Sequence, residues 1–156
     1  MERYFRWKGK GAMVSRSILV VLWGTLAVSF ALLALNAALA GEPIPSEYAG
    51  KTIPARWRND PKVIEAGKAI YEGKMSSEVN CVMCHGSDGK PTKMGRGAPD
   101  FSDTAEQAQD SDALWFWRIS EGKPGTKMPS YKNRLTDEQR WQLIVYIRSF
   151  SAKSKP

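Results

Sequence analysis

The most extended hydrophobic feature of the chain is a run of 25 residues without a charge, at positions 17–41. Within it, residues 18–40 are interrupted only by one glycine and by the polar residues Thr25, Ser29 and Asn36. As a helix this stretch would be about 35 Å long, enough to cross a hydrocarbon core of about 30 Å. It has no polar face, which argues against a buried core helix. The pattern predicts an N-terminal hydrophobic helix that enters a membrane.

The charges on either side of this run are asymmetric. Five cations and one acid precede it, which accounts for +4 of the net charge of +7, and Glu42 and Glu47 follow it. This asymmetry predicts a cytoplasmic N-terminus and export of the rest, to the periplasm or the outer face of the cytoplasmic membrane. Because most of the positive charge precedes the apolar run, it is poor evidence for nucleic-acid binding, and none is expected.

Two fates of residues 1–40 remain open. The sequence Ala38-Leu39-Ala40 before Gly41 fits the cleavage pattern of a secretory signal peptide, for which Met13 would be a compact start. The long apolar run and its basic lead instead favour a permanent single-span anchor. Cleavage after Ala40 would release a soluble protein, whereas retention would leave a single-pass membrane protein.

The segment 41–58 shows no helical period. It contains Pro43, Pro45 and Pro54, which remove backbone donors and favour extended conformations. The segment is predicted to be an extended linker that serves as a spacer.

The domain that follows, residues 59–152, opens with a clear helix signal. Asp60 is a favourable N-cap and Pro61 a favourable first helical residue. A helix is therefore predicted from there to about Tyr71, with a stop at Gly73.

Two further helices are predicted in the second half of the chain. One begins after Ser111 and reaches Glu121, with Gly122 as its stop signal. The other begins with a Thr-x-x-Gln capping box at Thr136 and runs to about Ser149. Along this last helix, the positions that recur at helical spacing are Trp141, Ile144, Val145 and Arg148, and Leu143 and Ile147 widen its apolar face.

No segment alternates apolar and polar residues over five or more positions, so no strand is predicted. The loops 86–110 and 122–135 are rich in glycine and proline and are too long for a self-sufficient helical bundle. The domain is therefore predicted to be all-α and to wrap around another body. Residues 153–156 are predicted to form a C-terminal tail.

The composition restricts the chemistry, because 156 residues contain two cysteines and one histidine. Two cysteines exclude a disulfide-dense scaffold and any four-cysteine zinc or iron–sulfur site. One histidine excludes every site that needs two imidazoles.

The two cysteines and the histidine lie in one pentapeptide, Cys81-Val82-Met83-Cys84-His85. In this C-x-x-C-H spacing, two thiols can add to the vinyl groups on one edge of a haem, and the adjacent imidazole can reach its iron. Half of a zinc site would need a second ligand pair, which the chain lacks. A thioredoxin-like redox pair would need a βαβ context, which is not predicted. The motif therefore indicates covalent attachment of haem c.

The sixth iron ligand is predicted by elimination among His, Met, Cys and Tyr, the usual axial partners. No second histidine exists and both cysteines are committed, which leaves methionine. Met83 lies inside the attachment loop, and Met75 and Met94 are close to it in sequence. Met128 lies 43 residues beyond His85, far enough for the chain to pass around the haem, in the turn-rich sequence Gly-Thr-Lys-Met-Pro. Met128 is the predicted distal ligand.

Over about residues 60–150, the chain resembles the class I monohaem cytochromes c. Besides the pentapeptide, five segments carry the resemblance in the family's order and spacing: Glu65–Tyr71, Gly97–Phe101, Met128-Pro129, Leu135–Trp141 and Leu143–Tyr146. Only the N-terminal segment and the linker lie outside it.

The resemblance implies a small cytochrome c fold, with three to four short helices around one covalent haem. It implies that Gly67 lets the last helix cross the first closely, and that Tyr71 packs on the last helix. It also implies that the Pro99 carbonyl accepts a hydrogen bond from the outer ring nitrogen of the iron-bound histidine. Trp141 is implied to lie against a haem edge.

The function expected from this reading is one-electron transfer between redox proteins outside the cytoplasm. Ligation by His85 and Met128 would fill both axial positions, so neither an enzymatic reaction nor a small-molecule substrate is expected. Cations near the histidine and near Met128 would favour an acidic redox partner: Lys90, Lys93, Arg96, Lys123, Lys127, Lys132 and Arg134.

Two alternatives remain open. The chain could be the haem subunit of a larger dehydrogenase or reductase complex, tethered to the membrane through residues 18–40. It could also be a gas-binding or peroxidatic haem protein, which would require Met128 to leave the iron.

Overall fold

The computed structural model describes residues 43–153, and the predicted apolar span 18–40 therefore lies outside the described residues. The described part contains helices and no strand, which confirms the predicted all-α class. After a 3₁₀ turn at Ala55–Trp57 come five α-helices: α1 Pro61–Tyr71, α2 Val82–His85, α3 Thr104–Gln109, α4 Asp112–Glu121 and α5 Asp137–Lys153. No helix among residues 43–153 is long and apolar enough to cross a membrane.

The first and fourth helices begin and end as their capping residues predict. The Asp60 carboxylate accepts a hydrogen bond from the Lys62 amide at 2.9 Å at the start of α1. The Ser111 hydroxyl accepts one from the Leu114 amide at 3.1 Å at the start of α4. Gly122 follows α4 with a φ of 77°, a conformation that glycine adopts without strain.

The last helix also begins as predicted but is longer. The Thr136 amide donates to Gln139 Oε1 at 2.9 Å, and the Gln139 amide donates back to Thr136 Oγ1 at 3.2 Å, which is a reciprocal capping box. Helix α5 continues to Lys153, beyond the predicted end near Ser149.

Helix α3 lies in a segment that was predicted to be loop. It has no apolar stripe, and its one buried residue is the polar Gln107. The side-chain amide of Gln107 donates to the carbonyls of Phe101 at 3.0 Å and Ile147 at 3.2 Å. This helix is therefore held to α5 by buried hydrogen bonds, for which hydrophobic periodicity gives no signal.

The segment predicted to be a spacer contributes to the core. Tyr48 and Ile53 are buried, and the Tyr48 ring lies 6.2 Å from the Phe116 ring. The Tyr48 hydroxyl also forms a hydrogen bond with Glu121. The compact unit that contains the domain begins at Ile44, so the segment is joined to the helices through Tyr48 and Ile53.

Asp112, the first residue of α4, joins three parts of the chain. Its carboxylate accepts hydrogen bonds from the Ile53 amide at 3.4 Å and from Arg58 at 2.9 Å. It also pairs with Arg148 of α5 at 3.1 Å. One partly buried carboxylate thus ties the N-terminal segment and the last helix to the start of α4.

Helices α1 and α5 cross at Gly67, as the resemblance implied. A Cβ at this position would overlap the carbonyl oxygen of Gln142 and lie 2.8 Å from the Cβ of Tyr146. One turn further along, the rings of Tyr71 and Tyr146 meet edge to face with their centroids 5.2 Å apart. The contact requires glycine because the two backbones touch directly.

A Gly67→Ala substitution tests this crossing, because helix propensity and steric overlap predict opposite changes in the free energy of unfolding. Helix propensity alone would stabilise the protein by about 1 kcal/mol. Overlap with the α5 backbone is expected to reverse that sign and lower the free energy of unfolding by about 1–3 kcal/mol. Denaturant unfolding measures the change, with Glu65→Ala on the exposed side of α1 as the control. A Gly67→Ala protein as stable as the wild type would refute the close crossing.

Candidate haem-attachment site

The C-x-x-C-H motif forms a single helical turn. The amides of Cys84 and His85 both donate to the Cys81 carbonyl, at 3.1 and 2.8 Å. Positions separated by three and four residues share one face of a helix, so the two sulfurs and the imidazole project together. The thiols are not joined in a disulfide, and Cys81 is buried while Cys84 is partly exposed. The turn ends at Gly86, where φ is 69°.

Tyr71, the last residue of α1, contacts both ends of this turn. Its carbonyl accepts a hydrogen bond from the Cys81 amide at 3.0 Å. Its hydroxyl donates to the carbonyls of His85 at 3.1 Å and Gly86 at 2.7 Å. Burial raises the pKa of Tyr71 above its usual range, so the hydroxyl remains protonated and can donate.

Thr92 satisfies the remaining carbonyls at the end of the turn. Its hydroxyl donates to the Met83 carbonyl at 2.7 Å, and its amide donates to the Cys84 carbonyl at 2.9 Å. The amides of Met94 and Gly95 donate back to the Thr92 hydroxyl, each at 3.2 Å. A Cβ on Gly95 would overlap the Cys84 carbonyl oxygen, so glycine is required where this loop meets the turn.

The last four carbonyls of a helix have no intrahelical partners. The carbonyls of a four-residue helix therefore depend almost entirely on donors from outside it. Tyr71 and Thr92 together bind the carbonyls of residues 83–86. The turn is therefore fixed by side chains from outside it, and this fixes the path of the chain on which His85 is carried.

The imidazole of His85 is suited to bind a metal. Its ring is stacked on Phe101, with centroids 4.6 Å apart and planes 11° from parallel. Burial lowers the pKa of His85 to about 4, so the ring is neutral near pH 7 and keeps a lone pair. Its Nδ1 atom is buried and has no hydrogen-bond partner among residues 43–153. The expected bond from this nitrogen to the Pro99 carbonyl is not formed, and the role of Pro99 stays a prediction.

The thiol of Cys81 is unsuited to redox chemistry of its own. Burial, and secondarily the neighbouring Cys84, raise the pKa of the Cys81 thiol to about 12. A buried neutral thiol is a poor nucleophile. No group of three or more His, Cys, Asp or Glu side chains in the described part of the chain is placed to hold a bare metal ion. The donor set of two thiols and one neutral imidazole on one turn therefore fits haem c.

The loop that contains Met128 is closed by its own hydrogen bonds. The Lys123 amide donates to the Met128 carbonyl at 3.1 Å, and the Met128 amide donates to Thr126 Oγ1 at 3.1 Å. Gly122 packs against the backbone of this loop, where a Cβ would lie 2.6 Å from the Met128 carbonyl oxygen. The Met128 side chain is partly buried against the hydrophobic core. The chain thus holds Met128 in an ordered loop on the core.

Trp141 lies on the first turns of α5 and is stacked on Phe116 of α4, with centroids 4.3 Å apart. The guanidinium of Arg140 lies 4.6 Å from the centroid of the same Phe116 ring, and it bonds to Ser120 and Asp137. Arg140 is 4% exposed, and its two terminal nitrogens are paired whereas its buried Nε atom has no partner among residues 43–153.

The structure gathers some of the predicted site residues but not all of them. Cys81, Cys84 and His85 share one turn. No hydrogen bond or ring contact within residues 43–153 joins His85 to Pro99, Met128 or Trp141. The roles of the Tyr71 hydroxyl, Thr92 and Gly95 were not predicted from the sequence. Of the three, only Gly95 is a residue type that signals a close backbone approach.

Removal of the Tyr71 hydroxyl tests its hold on the turn. A Tyr71→Phe substitution keeps the ring but leaves buried carbonyls without a donor, so the free energy of unfolding is expected to fall by about 1–3 kcal/mol. The control is Tyr131→Phe, because Tyr131 is also buried and no hydrogen bond from its hydroxyl to the protein is found within residues 43–153. Equal stabilities of the two variants in denaturant unfolding would contradict this role.

Comparison with known proteins gives independent evidence on this site. A family model described as "Cytochrome c" matches residues 64–151, which is more than half of the chain. Among curated proteins, no significant match was found.

Two solved structures are similar to the chain. One is described as "KustC0563 c-type cytochrome", at 40% identity, covering 45% of this chain and 86% of that chain with a TM-score of 0.43. The other is the "Kuenenia stuttgartiensis reducing HAO-like protein complex Kustc0457/Kustc0458", at 29% identity, covering 73% of this chain and 53% of that chain with a TM-score of 0.46.

The family match spans the helix crossing, the attachment turn and the Met128 loop. Members of this family use covalently bound haem c and its iron for electron transfer. The all-α fold, the motif turn and the family match together show that this chain belongs to the cytochrome c family.

Proposed function

We propose that this protein carries single electrons between redox proteins outside the cytoplasm, as a monohaem cytochrome of class I. Cys81 and Cys84 would hold the haem through thioether bonds, and His85 and Met128 would ligate its iron. The observation that carries the proposal is the attachment turn, which presents two sulfurs and a neutral imidazole together. The haem supplies the one-electron chemistry, and the chain supplies ligands, orientation and a dry environment.

The axial ligands follow from the donors that the chain offers. His85 is neutral, partly buried and stacked on Phe101, so its ring can bind iron without first losing a proton. Met128 lies in a loop that is closed by its own hydrogen bonds. A thioether ligand favours Fe(II) and therefore raises the reduction potential of the haem. With both positions filled, the iron would have no open site for a substrate.

The outer ring nitrogen of His85 needs an acceptor inside the protein. A buried polar atom without a partner costs free energy, and Nδ1 of His85 is such an atom. The Pro99 carbonyl is the acceptor that we propose for the haem-bearing protein. Trp141 would pack against a haem edge, since its ring already belongs to the aromatic group around Phe116.

The partner that we propose is an acidic redox protein. In residues 86–98, three cations stand against one acid, Asp88, and residues 122–134 contain four cations and no acid. Lys132 is paired with Glu121 at 2.8 Å, so its charge is largely compensated. The remaining cations would attract an acidic partner and orient it.

Localisation outside the cytoplasm is proposed from residues 1–40, as is membrane attachment if these residues are retained. Attachment would suit either a tethered carrier or the haem subunit of a larger dehydrogenase or reductase complex. Membrane fractionation, with the intact mass of the purified protein, distinguishes cleavage after Ala40 from retention. Stable co-purification with a catalytic partner would favour the subunit.

The distal ligand is tested by comparing two methionine variants. Met128→Ala should abolish the weak thioether-to-iron absorption band at the red end of the oxidised spectrum, and the reduced protein should bind carbon monoxide. Met94→Ala is the control and should keep the band. The assignment of Met128 is wrong if Met94→Ala loses the band and Met128→Ala keeps it.

The proposed function itself is tested on the purified protein. Acid–acetone treatment should leave the haem on the chain, and the intact mass should include one haem. A redox titration should follow a single one-electron curve. Release of the haem, or rapid binding of carbon monoxide by the wild-type reduced protein, would oppose the electron-carrier assignment.

A further inference from the structure

Tyr48 lies outside the part of the chain that the family model matches, yet its side chain is part of the core. The matched part begins at residue 64, whereas Tyr48 belongs to the N-terminal segment 44–58. Tyr48 is 5% exposed. Its amide donates to the Pro45 carbonyl at 2.9 Å, and its carbonyl accepts from the Lys51 amide at 3.1 Å. Hydrogen-bonded turns on both sides therefore fix the point from which the phenol reaches the helices.

The Tyr48 hydroxyl meets two charged side chains. Glu121 is the last residue of α4, and Lys132 lies four residues beyond Met128. The hydroxyl donates to Glu121 Oε1, and the same oxygen accepts from Lys132 Nζ at 2.8 Å. Lys132 Nζ also lies 3.5 Å from the Tyr48 hydroxyl oxygen. The segment 44–58 thus bonds to both sides of one ion pair.

This ion pair lies at the neck of the Met128 loop, where the chain returns to the end of α4. The Tyr131 amide donates to the Ile119 carbonyl at 3.0 Å. The Lys132 amide donates to the Ser120 carbonyl at 3.1 Å. An opening that moves the whole loop away from α4 must break these contacts. The ion pair and the Tyr48 hydroxyl therefore oppose such an opening.

The Lys132–Glu121 pair would contribute little without Tyr48. Its side chains are 52% and 37% exposed, and an exposed pair loses much of its attraction to solvent screening and to the entropy of ordering two flexible side chains. Hydrogen bonds from Lys132 and then from Tyr48 hold the pKa of Glu121 below its ordinary value, so the carboxylate stays charged near pH 7. Because the buried phenol fixes the oxygen that Lys132 contacts, the cation meets an acceptor that is already oriented.

We propose that Tyr48 is a positioning residue for the distal iron ligand, because it fixes the neck of the loop that carries Met128. It acts through Glu121 and Lys132. This inference rests on the proposed function, since it assumes that Met128 ligates the haem iron. Without the hydroxyl, the loop should open more often, and Met128 should be away from the iron for a larger fraction of the time.

The test measures binding of imidazole to the purified, oxidised haem protein. Imidazole can bind the iron only when Met128 has left it, so the apparent affinity rises in proportion to the open fraction of the loop. The variant is Tyr48→Phe, which keeps the buried ring and removes the hydroxyl. The matched control is Arg58→Gln, which removes a different contact of the same segment, the ion pair with Asp112 at the opposite end of α4.

We expect Tyr48→Phe to bind imidazole about tenfold more tightly than the wild type, the order of effect for loss of one hydrogen bond to a charged group. Arg58→Gln should bind imidazole like the wild type. In thermal melts of Tyr48→Phe, the thioether-to-iron band should disappear further below the loss of helical circular dichroism than it does in the wild type. A merely structural role of Tyr48 would lower both temperatures together.

A second variant tests the route through Glu121. Glu121→Ala should also tighten the binding of imidazole. Addition of Tyr48→Phe to Glu121→Ala should give little further gain, because the hydroxyl has then already lost its acceptor.

Three results would overturn the proposed role of Tyr48. They are wild-type affinity of Tyr48→Phe for imidazole, an equal gain in Arg58→Gln, or full additivity of the substitutions at Tyr48 and Glu121. Failure of the proposed function would look different, because the wild type would then lack the thioether band or Met128→Ala would keep it.

Discussion

The packing of the domain is organised around the direct backbone contact between α1 and α5 at Gly67. The absence of a side chain there sets how closely the first and last helices of the domain approach. That distance places Tyr71 between Tyr146 and the attachment turn. A side chain at position 67 would move Tyr71 away from the carbonyls that it holds. The helix crossing and the geometry of the haem motif are therefore one arrangement.

Two further connections extend from this crossing. Thr92 binds the part of the attachment turn that Tyr71 does not reach, and thereby fixes the loop that follows His85. At the other end of α5, Asp112 joins Arg148 to Arg58 and closes the N-terminal segment onto the helices. Polar contacts thus determine where the loops lie, while the aromatic residues fill the space between the helices.

Local signals were sufficient for much of this structure. Caps at Asp60, Ser111 and Thr136 predicted the starts of three helices, and the motif predicted the chemistry of the site. Features that depend on distant parts of the chain were missed or misjudged. Helix α3 depends on buried bonds from Gln107 to residues of other segments, and the segment 41–58 packs through Tyr48 and Ile53 despite its prolines.

The same difference between local and long-range features is found at the attachment turn. Its spacing of cysteines and histidine predicts haem attachment, but the residues that hold the turn come from α1 and from the following loop. Thr92 has no distinctive neighbours in the sequence, so its role becomes visible only when every carbonyl of the turn is assigned a donor. The roles of Pro99 and Trp141 stay predictions, because they concern contacts with the haem.

We expect the haem, attached through Cys81 and Cys84, to complete the core that the helices and the long loops share. A small domain with short helices and long loops gains apolar core when it encloses a haem, so its stability is expected to depend on that group. The most direct measurement is the helical circular dichroism and thermal unfolding of a protein with Cys81→Ser and Cys84→Ser. The account predicts a largely unfolded chain that has lost most of its helical signal. A cysteine-free protein that keeps its helices and melts cooperatively would contradict it.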